Sequence, residues 1–377
     1  MASAVCFASA VTVPSICLPE IGDELSLDLA GKGFIVTLRM ASLLGALLLC
    51  GWLGQSRPKA PFLSAGVVLT ALGMAATALA PGHAALLAAQ AAVGLGLGTF
   101  NGLMLALVSE LHPRDAGGPL NAVNGVGAVG LVVAAVASGE LLHSGYSWRA
   151  TFWPWVLVGF VTAVLFATRG YPATGPAGQA GATTAFLRRP LFWVLAAGMV
   201  IGGGSEAGMT TWGSNFMQSE FNSTPRVGAL TVAFFGAFLA LGRFAGMVVL
   251  RRVAAPLLVA GSALAGAASA AGLCHARSAP AAWCLFALCG LFVACFWPTL
   301  LAIAVARIPG GSTAMVSLLA AAGIGGSAVF PWAIGALGDR VGLRGGLAIL
   351  PLSLVVLALL LLGVWRRRSR ATRRSGE

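Results

Sequence analysis

One carboxylate in this chain stands where a carboxylate is expensive. Glu206 lies near the middle of a long apolar stretch, in the run Gly202-Gly-Gly-Ser-Glu-Ala-Gly-Met-Thr-Thr-Trp212. A charged side chain at bilayer depth costs roughly 3 kcal/mol on insertion scales, and such residues face a bundle interior or a wet cavity rather than lipid. Protonation removes most of that cost. Glu206 is therefore a candidate for holding a coupling proton or for hydrogen-bonding a polar solute. A structural contact with a neighbouring helix is the plainer alternative.

Other polar residues share such stretches. Thr210 and Ser214 follow Glu206 at helical spacing and fall along one stripe. Their hydroxyls either line a cavity or bond to their own helix backbone. Trp212 could stack on a sugar ring through its apolar face or anchor at a membrane interface. In the fourth apolar stretch, Gln90 and Asn101 are eleven residues apart, which brings them within about 20° on a helix. Asn121 and Asn124 share a face of the fifth more loosely. Amide groups suit a hydroxylated ligand, and they suit interhelical hydrogen bonding equally well. Phe296-Trp297-Pro298 can kink the tenth stretch and set the Trp297 ring near its centre. Gln90, Asn101, Asn121, Asn124, Thr210, Trp212 and Trp297 are thus the candidate substrate-binding residues. Arg39, early in the second stretch, is a candidate charge partner for a carboxylate or an anionic solute; the bland account is snorkelling to the surface. Arg243, about two turns from the end of its stretch, is expected to snorkel or to cap helix ends.

No catalytic constellation accompanies these residues. Gly94-x-Gly-x-Gly98 has no strand before it, so a dinucleotide site is not indicated. His83, His112, His143 and His275 all fall at the ends of apolar stretches and form no metal pair. The seven cysteines show no metal spacing and mostly sit in apolar runs, where Cys acts as a small hydrophobe. Neither an enzyme, a cofactor nor a bound metal is expected.

The elements that must hold these side chains are membrane helices. The 377 residues are 58% hydrophobic and only 9% charged, against roughly 25% charged in soluble proteins. Mean hydropathy is +0.91. The apolar segments are continuous rather than alternating, and a bilayer needs about 20 such residues per helix. Twelve segments are predicted, over 2–19, 33–54, 61–80, 84–108, 119–142, 150–168, 191–217, 227–250, 255–274, 281–305, 313–336 and 345–365. Met1–Pro19 lacks the positive region of a signal peptide and reads as a short first helix, which a truncated start would also give.

Six segments precede a Gly/Ala/Pro-rich stretch and six follow it. The expected organisation is an N-terminal six-helix bundle (1–168), a cytoplasmic linker (169–190), a C-terminal six-helix bundle (191–365) and a basic cytoplasmic tail (366–377). A shift of 196 pairs Gly94 with Gly290, Gly127 with Gly323, Gly130 with Gly326 and Gly139 with Gly335. With 51 glycines in the chain, these coincidences support duplication only weakly. The net charge of +12 does not indicate nucleic acid, because six arginines lie together in Arg366–Arg374 beside the last apolar run. A cluster there meets anionic headgroups and sets orientation. With both termini cytoplasmic, fifteen Lys and Arg fall inside and six outside; without the tail the ratio is nine to six.

These segments carry motifs that resemble the major facilitator superfamily along nearly the whole chain. Gly51-Trp-Leu-Gly-Gln-Ser-Arg-Pro-Lys59 resembles that family's cytoplasmic signature loop, with Gln55 where an acid is usual. Gln90-x3-Gly94-x-Gly-x-Gly98 resembles its fourth-helix motif, with Gln90 in place of the usual arginine. Trp148-Arg149 and Gly338-Asp-Arg-Val-Gly-Leu-Arg344 resemble the ends of the fifth and eleventh helices. Within the superfamily, Ser205-Glu206-Ala207 with Trp212, Leu241-Gly242-Arg243, Phe296-Trp297-Pro298 and Gly323-Ile-Gly-Gly326 are most similar to the fucose-permease-like sugar transporters.

The resemblance implies an all-α fold of twelve transmembrane helices in two bundles, rocking about a central cavity. It implies transport of a small polar solute, a sugar or sugar derivative first, across a bacterial inner membrane by alternating access. Proton-coupled members typically carry acids inside the first and fourth helices. The predicted helices here have none, so Glu206 is the candidate for proton coupling, and a uniporter or exchanger is the alternative. The rival readings are an efflux carrier for amphipathic compounds and a non-transporting membrane sensor or assembly protein.

Overall fold

The structure is a computed structural model that describes residues 2–53, 59–111, 117–168, 184–308 and 313–374. Every described element is helical. In chain order these are α1 (Ala2–Ile16), α2 (Leu18–Leu25), α3 (Leu29–Leu53), α4 (Lys59–Ala78), α5 (His83–Leu111), α6 (Gly117–His143), α7 (Trp153–Thr168), α8 (Pro190–Phe221), α9 (Pro225–Val249), α10 (Ala255–Cys274), α11 (Ala279–Val293), α12 (Phe296–Arg307), α13 (Thr313–Leu347) and α14 (Ile349–Arg374). Short 3-10 turns cover Trp148–Phe152 and Thr184–Arg188. Eleven spans among the described residues are long and apolar enough to cross a membrane, and α1 with α2, bent by 49°, makes a twelfth.

The first span departs from its predicted bounds for a local reason. Pro19 sits in the first turn of α2, where a missing N–H costs nothing and the fixed φ favours a new helix. The chain therefore starts a second helix through Glu20, Asp23 and Glu24, where a loop was expected. Ser26 ends it in the left-handed region, at φ 52°. The tenth span breaks where the sequence allowed a kink. Pro298 cannot donate to the carbonyl of Ala294, and α11 stops at Val293 while α12 begins at Phe296. The eleventh runs well past its predicted end, to a break at Gly342, whose φ of 80° suits glycine alone.

The chain divides into two compact units. Unit 1 comprises 1–178 with 210–233, and unit 2 comprises 179–209 with 234–377. The boundary falls inside α8, so the helix carrying Glu206 contributes its first part to unit 2 and its remainder to unit 1. The predicted linker lies at 169–190, of which 169–183 is outside the described residues.

Within each unit, glycines let helix backbones meet. A Cβ at Gly94 of α5 would collide with the carbonyl of Arg39 on α3, and one at Gly98 with that of Leu43. In unit 2, a Cβ at Gly290 of α11 would collide with the carbonyl of Phe235 on α9. Gly290 lies 196 residues after Gly94, and Phe235 lies 196 after Arg39. The same contact thus recurs with both partners displaced equally. Gly98 also abuts Ala46, and their counterparts at that shift, Ala294 and Gly242, abut each other. Shared glycine positions are weak evidence of duplication; shared contacts at one displacement are much stronger. Close approach through small residues is the packing that lipid-embedded helices favour, because burial alone does not drive them together.

The centre of unit 2 is apolar. Phe296, Leu300, Leu319, Leu354 and Leu357, from α12, α13 and α14, pack with Leu195 and Met199 of α8. This packing fixes the rotation of α8 and so the direction in which Glu206 points.

Candidate functional site

Glu206 lies near the midpoint of the 32-residue α8. The glycines around it are each occupied by a neighbour. Gly202 packs on Phe296 of α12, Gly203 on the backbone of Gly323 in α13, Gly204 on Phe330 of α13, and Gly208 on Ile334 and Leu350. Ser327 donates to the carbonyl of Gly203 at 3.0 Å and ties α13 to the same turn. With those faces filled, Glu206 turns toward α9. Its Oε1 is 3.6 Å from Nη2 of Arg243, and the two side chains are 34% and 37% exposed respectively. Arg243 therefore spends its charge on a carboxylate, not on a helix end. The adjacent Ser205 hydroxyl is buried and has no hydrogen-bond partner among the described residues.

Trp297 begins α12 beside this region. Its six-membered ring lies against Gly323, where any larger residue would collide with it. Gly323 in turn meets Gly203, so ring, glycine and helix form one packed stack, with Trp297 half-buried.

Unit 1 holds a second polar arrangement. Arg39 is fully buried on α3. Its Nη1 donates to Oε1 of Gln90 on α5 at 3.0 Å, and its Nη2 to the carbonyl of Val11 on α1 at 3.1 Å. Gln90 passes the chain on, its Nε2 donating to Thr77 Oγ1 of α4 at 2.9 Å, and Thr77 donates to the carbonyl of Gly73 at 2.8 Å. Four helices are thus joined through one guanidinium, which no described carboxylate neutralises. Its Nε is buried and without a hydrogen-bond partner among the described residues. The sequence singled out Arg39 and Gln90 separately; the structure brings them together, in a buried network rather than at the surface.

The remaining candidates are spread out. Asn101 is half-buried on α5. Asn121 and Asn124 lie on α6, with side chains outside the described residues, as are those of Gly51–Lys59. Thr210 and Trp212 belong to unit 1, both buried, Trp212 completely. Ser214 accepts from Gln218 Nε2 at 3.2 Å and donates to the carbonyl of Ile16 at 3.4 Å.

Two features escaped the sequence reading. Glu20, which lies between the predicted first and second helices, has both carboxylate oxygens buried without a hydrogen-bond partner among the described residues, and Asn215 Nδ2 is similarly placed. The signal was present, since a proline followed by acids in the next turn marks a helix start. The other is a clamp at the ends of the unit 1 helices. Trp148 Nε1 and Arg149 Nη1 both donate to Oε2 of Glu24, at 2.7 and 2.6 Å. Arg149 also donates to the carbonyl of Ala80 at 3.1 Å and lies 4.3 Å over the Trp148 ring.

Comparison with known proteins fixes the family. The model of the Major Facilitator Superfamily matches residues 1–317. The chain belongs to that superfamily. Among solved structures, a D-xylose-proton symporter superposes with a TM-score of 0.81 at 14% identity, covering 96% of this chain and 95% of its own. FucP, a superfamily transporter in an outward conformation, does so with a TM-score of 0.61 at 17% identity, covering 96% and 97%. Identities this low show the fold alone. A curated relative, the uncharacterized MFS-type transporter EfpA of Mycobacterium tuberculosis, is 32% identical over 161 residues, 42% of this chain. That match spans only 30% of the EfpA length. The protein is thus a multi-pass, all-helical member of a family of membrane transporters.

Proposed function

We propose that this protein carries a small polar solute, a sugar or sugar derivative, across the cytoplasmic membrane of a bacterium by alternating access. Glu206 is the residue whose charge changes during the cycle. The reading rests on one observation: a carboxylate at mid-length of a membrane helix, one-third exposed, with the Arg243 guanidinium 3.6 Å from it. Apolar packing alone gives no reason to keep an ion pair there, since well-packed hydrophobic residues of similar volume do as well or better. The two six-helix bundles, 1–168 and 191–365, act as the moving bodies, with both termini in the cytoplasm. Gln90, Asn101, Asn121, Asn124, Thr210, Trp212 and Trp297 are the proposed solute contacts. Coupling to a proton gradient follows if Glu206 takes up a proton on one side and releases it on the other.

The test is uptake by purified protein in liposomes, with a panel of labelled hydroxylated solutes and an imposed pH gradient. Gradient-stimulated uptake by the native protein, lost in Glu206→Gln while exchange without a gradient persists, is the expected result. Uptake that ignores both the gradient and the substitution removes Glu206 from coupling. Absence of movement of every solute in both directions rejects the transporter reading in favour of a sensor or assembly role.

A further inference from the structure

A second carboxylate is less well provided for than Glu206. Both oxygens of Glu20 are buried without a hydrogen-bond partner among the described residues. Buried polar atoms in native proteins are nearly always bonded, and an orphaned one calls for a cause such as a bound ion. A buried charge left uncompensated is strongly destabilising. The surroundings do not neutralise this one. Of the charged side chains that act on Glu20, Asp23 repels it more than Lys32 attracts it. The helix ends add little, because α1 stops at Ile16 and α2 starts at Leu18, so a negative and a positive dipole end meet at Cys17. Gln218 of α8 stands beside Glu20 but directs its Nε2 to Ser214 Oγ, at 3.2 Å.

Another orphan lies on the facing helix, within the same compact unit. Asn215 is 3% exposed, and its Nδ2 is buried without a partner among the described residues. Ser214, Asn215 and Gln218 fall within an arc of about 100° on α8. Ser214 Oγ reaches the Ile16 carbonyl and Gln218 reaches Glu20, so this arc faces the bend between α1 and α2. The bend also takes donors away from carbonyls. Pro19 has no N–H to offer the carbonyl of Ser15, four residues before it. That of Ile16 accepts from Ser214 at the long distance of 3.4 Å. Broken membrane helices present such carbonyls to cations.

The missing group must be small, since the orphaned atoms of Glu20 and Asn215 are sealed from solvent, and it must be positive. A sugar is too large, and water leaves the charge unanswered. A divalent ion such as calcium asks for more carboxylate oxygen than this, and the neighbouring acid, Asp23, is exposed. An amide exchanges its oxygen and nitrogen on a half-turn, so Asn215 can present Oδ1 where Nδ2 now finds no acceptor. We propose that the bend of the first span binds a monovalent alkali cation, held by the Glu20 carboxylate with oxygens from Asn215, Gln218 and the carbonyls at the end of α1. This site is separate from the Glu206–Arg243 pair and does not depend on which solute the protein carries.

The test uses purified full-length protein in detergent, at constant ionic strength, with choline chloride replaced by NaCl or KCl. At least one of these salts should raise the thermal midpoint by several degrees toward a plateau, as a ligand that binds only the folded state does. Equilibrium dialysis with radioactive sodium or rubidium should find a single saturable site. Glu20→Gln should lose both the binding and the salt response, yet melt in choline chloride no lower than the native protein. Asn215→Ala should raise the half-saturating concentration several-fold. Glu24→Gln, which alters the neighbouring acid that Trp148 and Arg149 already hold, should leave the salt response unchanged. If Glu20→Gln does not fold, the native and Asn215→Ala proteins still decide. A native protein that ignores both salts overturns the proposal, and so does a salt response that survives in Glu20→Gln. A midpoint that follows pH through Glu20 but neither salt also overturns it, by assigning the site to a proton. None of these results touches the transporter reading, because none measures solute movement.

Discussion

At the scale of single residues, the arginine of α3 is the sharpest case. A guanidinium buried without a carboxylate must be met by neutral acceptors, and Gln90 with the Val11 carbonyl supplies them. Replacing Gln90 by Leu keeps the volume but strands Arg39 Nη1 and takes the incoming donor from the Thr77 hydroxyl, which keeps its own bond to the Gly73 carbonyl. An unsatisfied buried donor costs roughly 1–3 kcal/mol. Gln90→Leu should therefore lower the thermal midpoint in detergent, whereas Gln90→Glu, which offers Arg39 a charged acceptor, should not. A Gln90→Leu protein that melts with the native one would show that the network contributes nothing to stability. The sequence made Gln90 and Arg39 visible as polar residues in apolar runs. It could not pair them, because α3 and α5 are apolar on every side, and a helix without an amphipathic face does not announce which way it is turned. Glu206 was legible for the same reason as Gln90. Its partner was not, since Arg243 lies 37 positions away and its long side chain reaches equally well toward a helix end.

At the scale of helices, glycine decides how near two axes come. Gly94 faces a backbone carbonyl that cannot step aside, while Gly45, on the partner helix α3, has nothing within 4 Å of where its Cβ would be. The same substitution should thus have opposite signs at the two places. Gly45→Ala should be neutral or stabilising by up to about 1 kcal/mol, the ordinary helical preference for alanine. Gly94→Ala should destabilise by roughly 1–3 kcal/mol through overpacking, and Gly290→Ala should do the same in unit 2. Thermal unfolding of the three variants checks this, and equal behaviour of Gly45 and Gly94 would contradict the close α3–α5 approach. The spans themselves were readable from length and hydropathy, and the break at Phe296 from its proline. The helix through Glu20 was missed because an acidic stretch after an apolar run was taken for a loop, and its capping signal was outweighed. The duplication was faint in sequence because glycine recurs everywhere. It became firm only when Gly94 and Gly290 proved to meet carbonyls displaced by the same interval.

At the scale of the whole molecule, what remains is how the chain sits in its membrane. Composition settles that it is a membrane protein, and the superfamily match agrees. Orientation is a balance of loop charges, and here one element dominates it. Counted with the tail, Lys and Arg favour cytoplasmic termini by fifteen to six; without Arg366–Arg374 the margin shrinks to nine to six. Basic residues just past the apolar part of a span, as these are in the last turns of α14, are the ones that steer insertion. Replacing the six tail arginines with glutamine should therefore yield a mixed population. With the native cysteines replaced, a single cysteine introduced at Ser375 should be shielded from an impermeant maleimide in intact cells of the otherwise native protein. In the neutral-tail variant it should become partly reactive. Full shielding in both would mean that the internal loops alone orient the chain. Full labelling in the native-tail protein would place the C-terminus outside and invert the side from which the proposed proton reaches Glu206. The direction of the proposed coupling thus hangs on charges that lie far along the sequence from the carboxylate they orient.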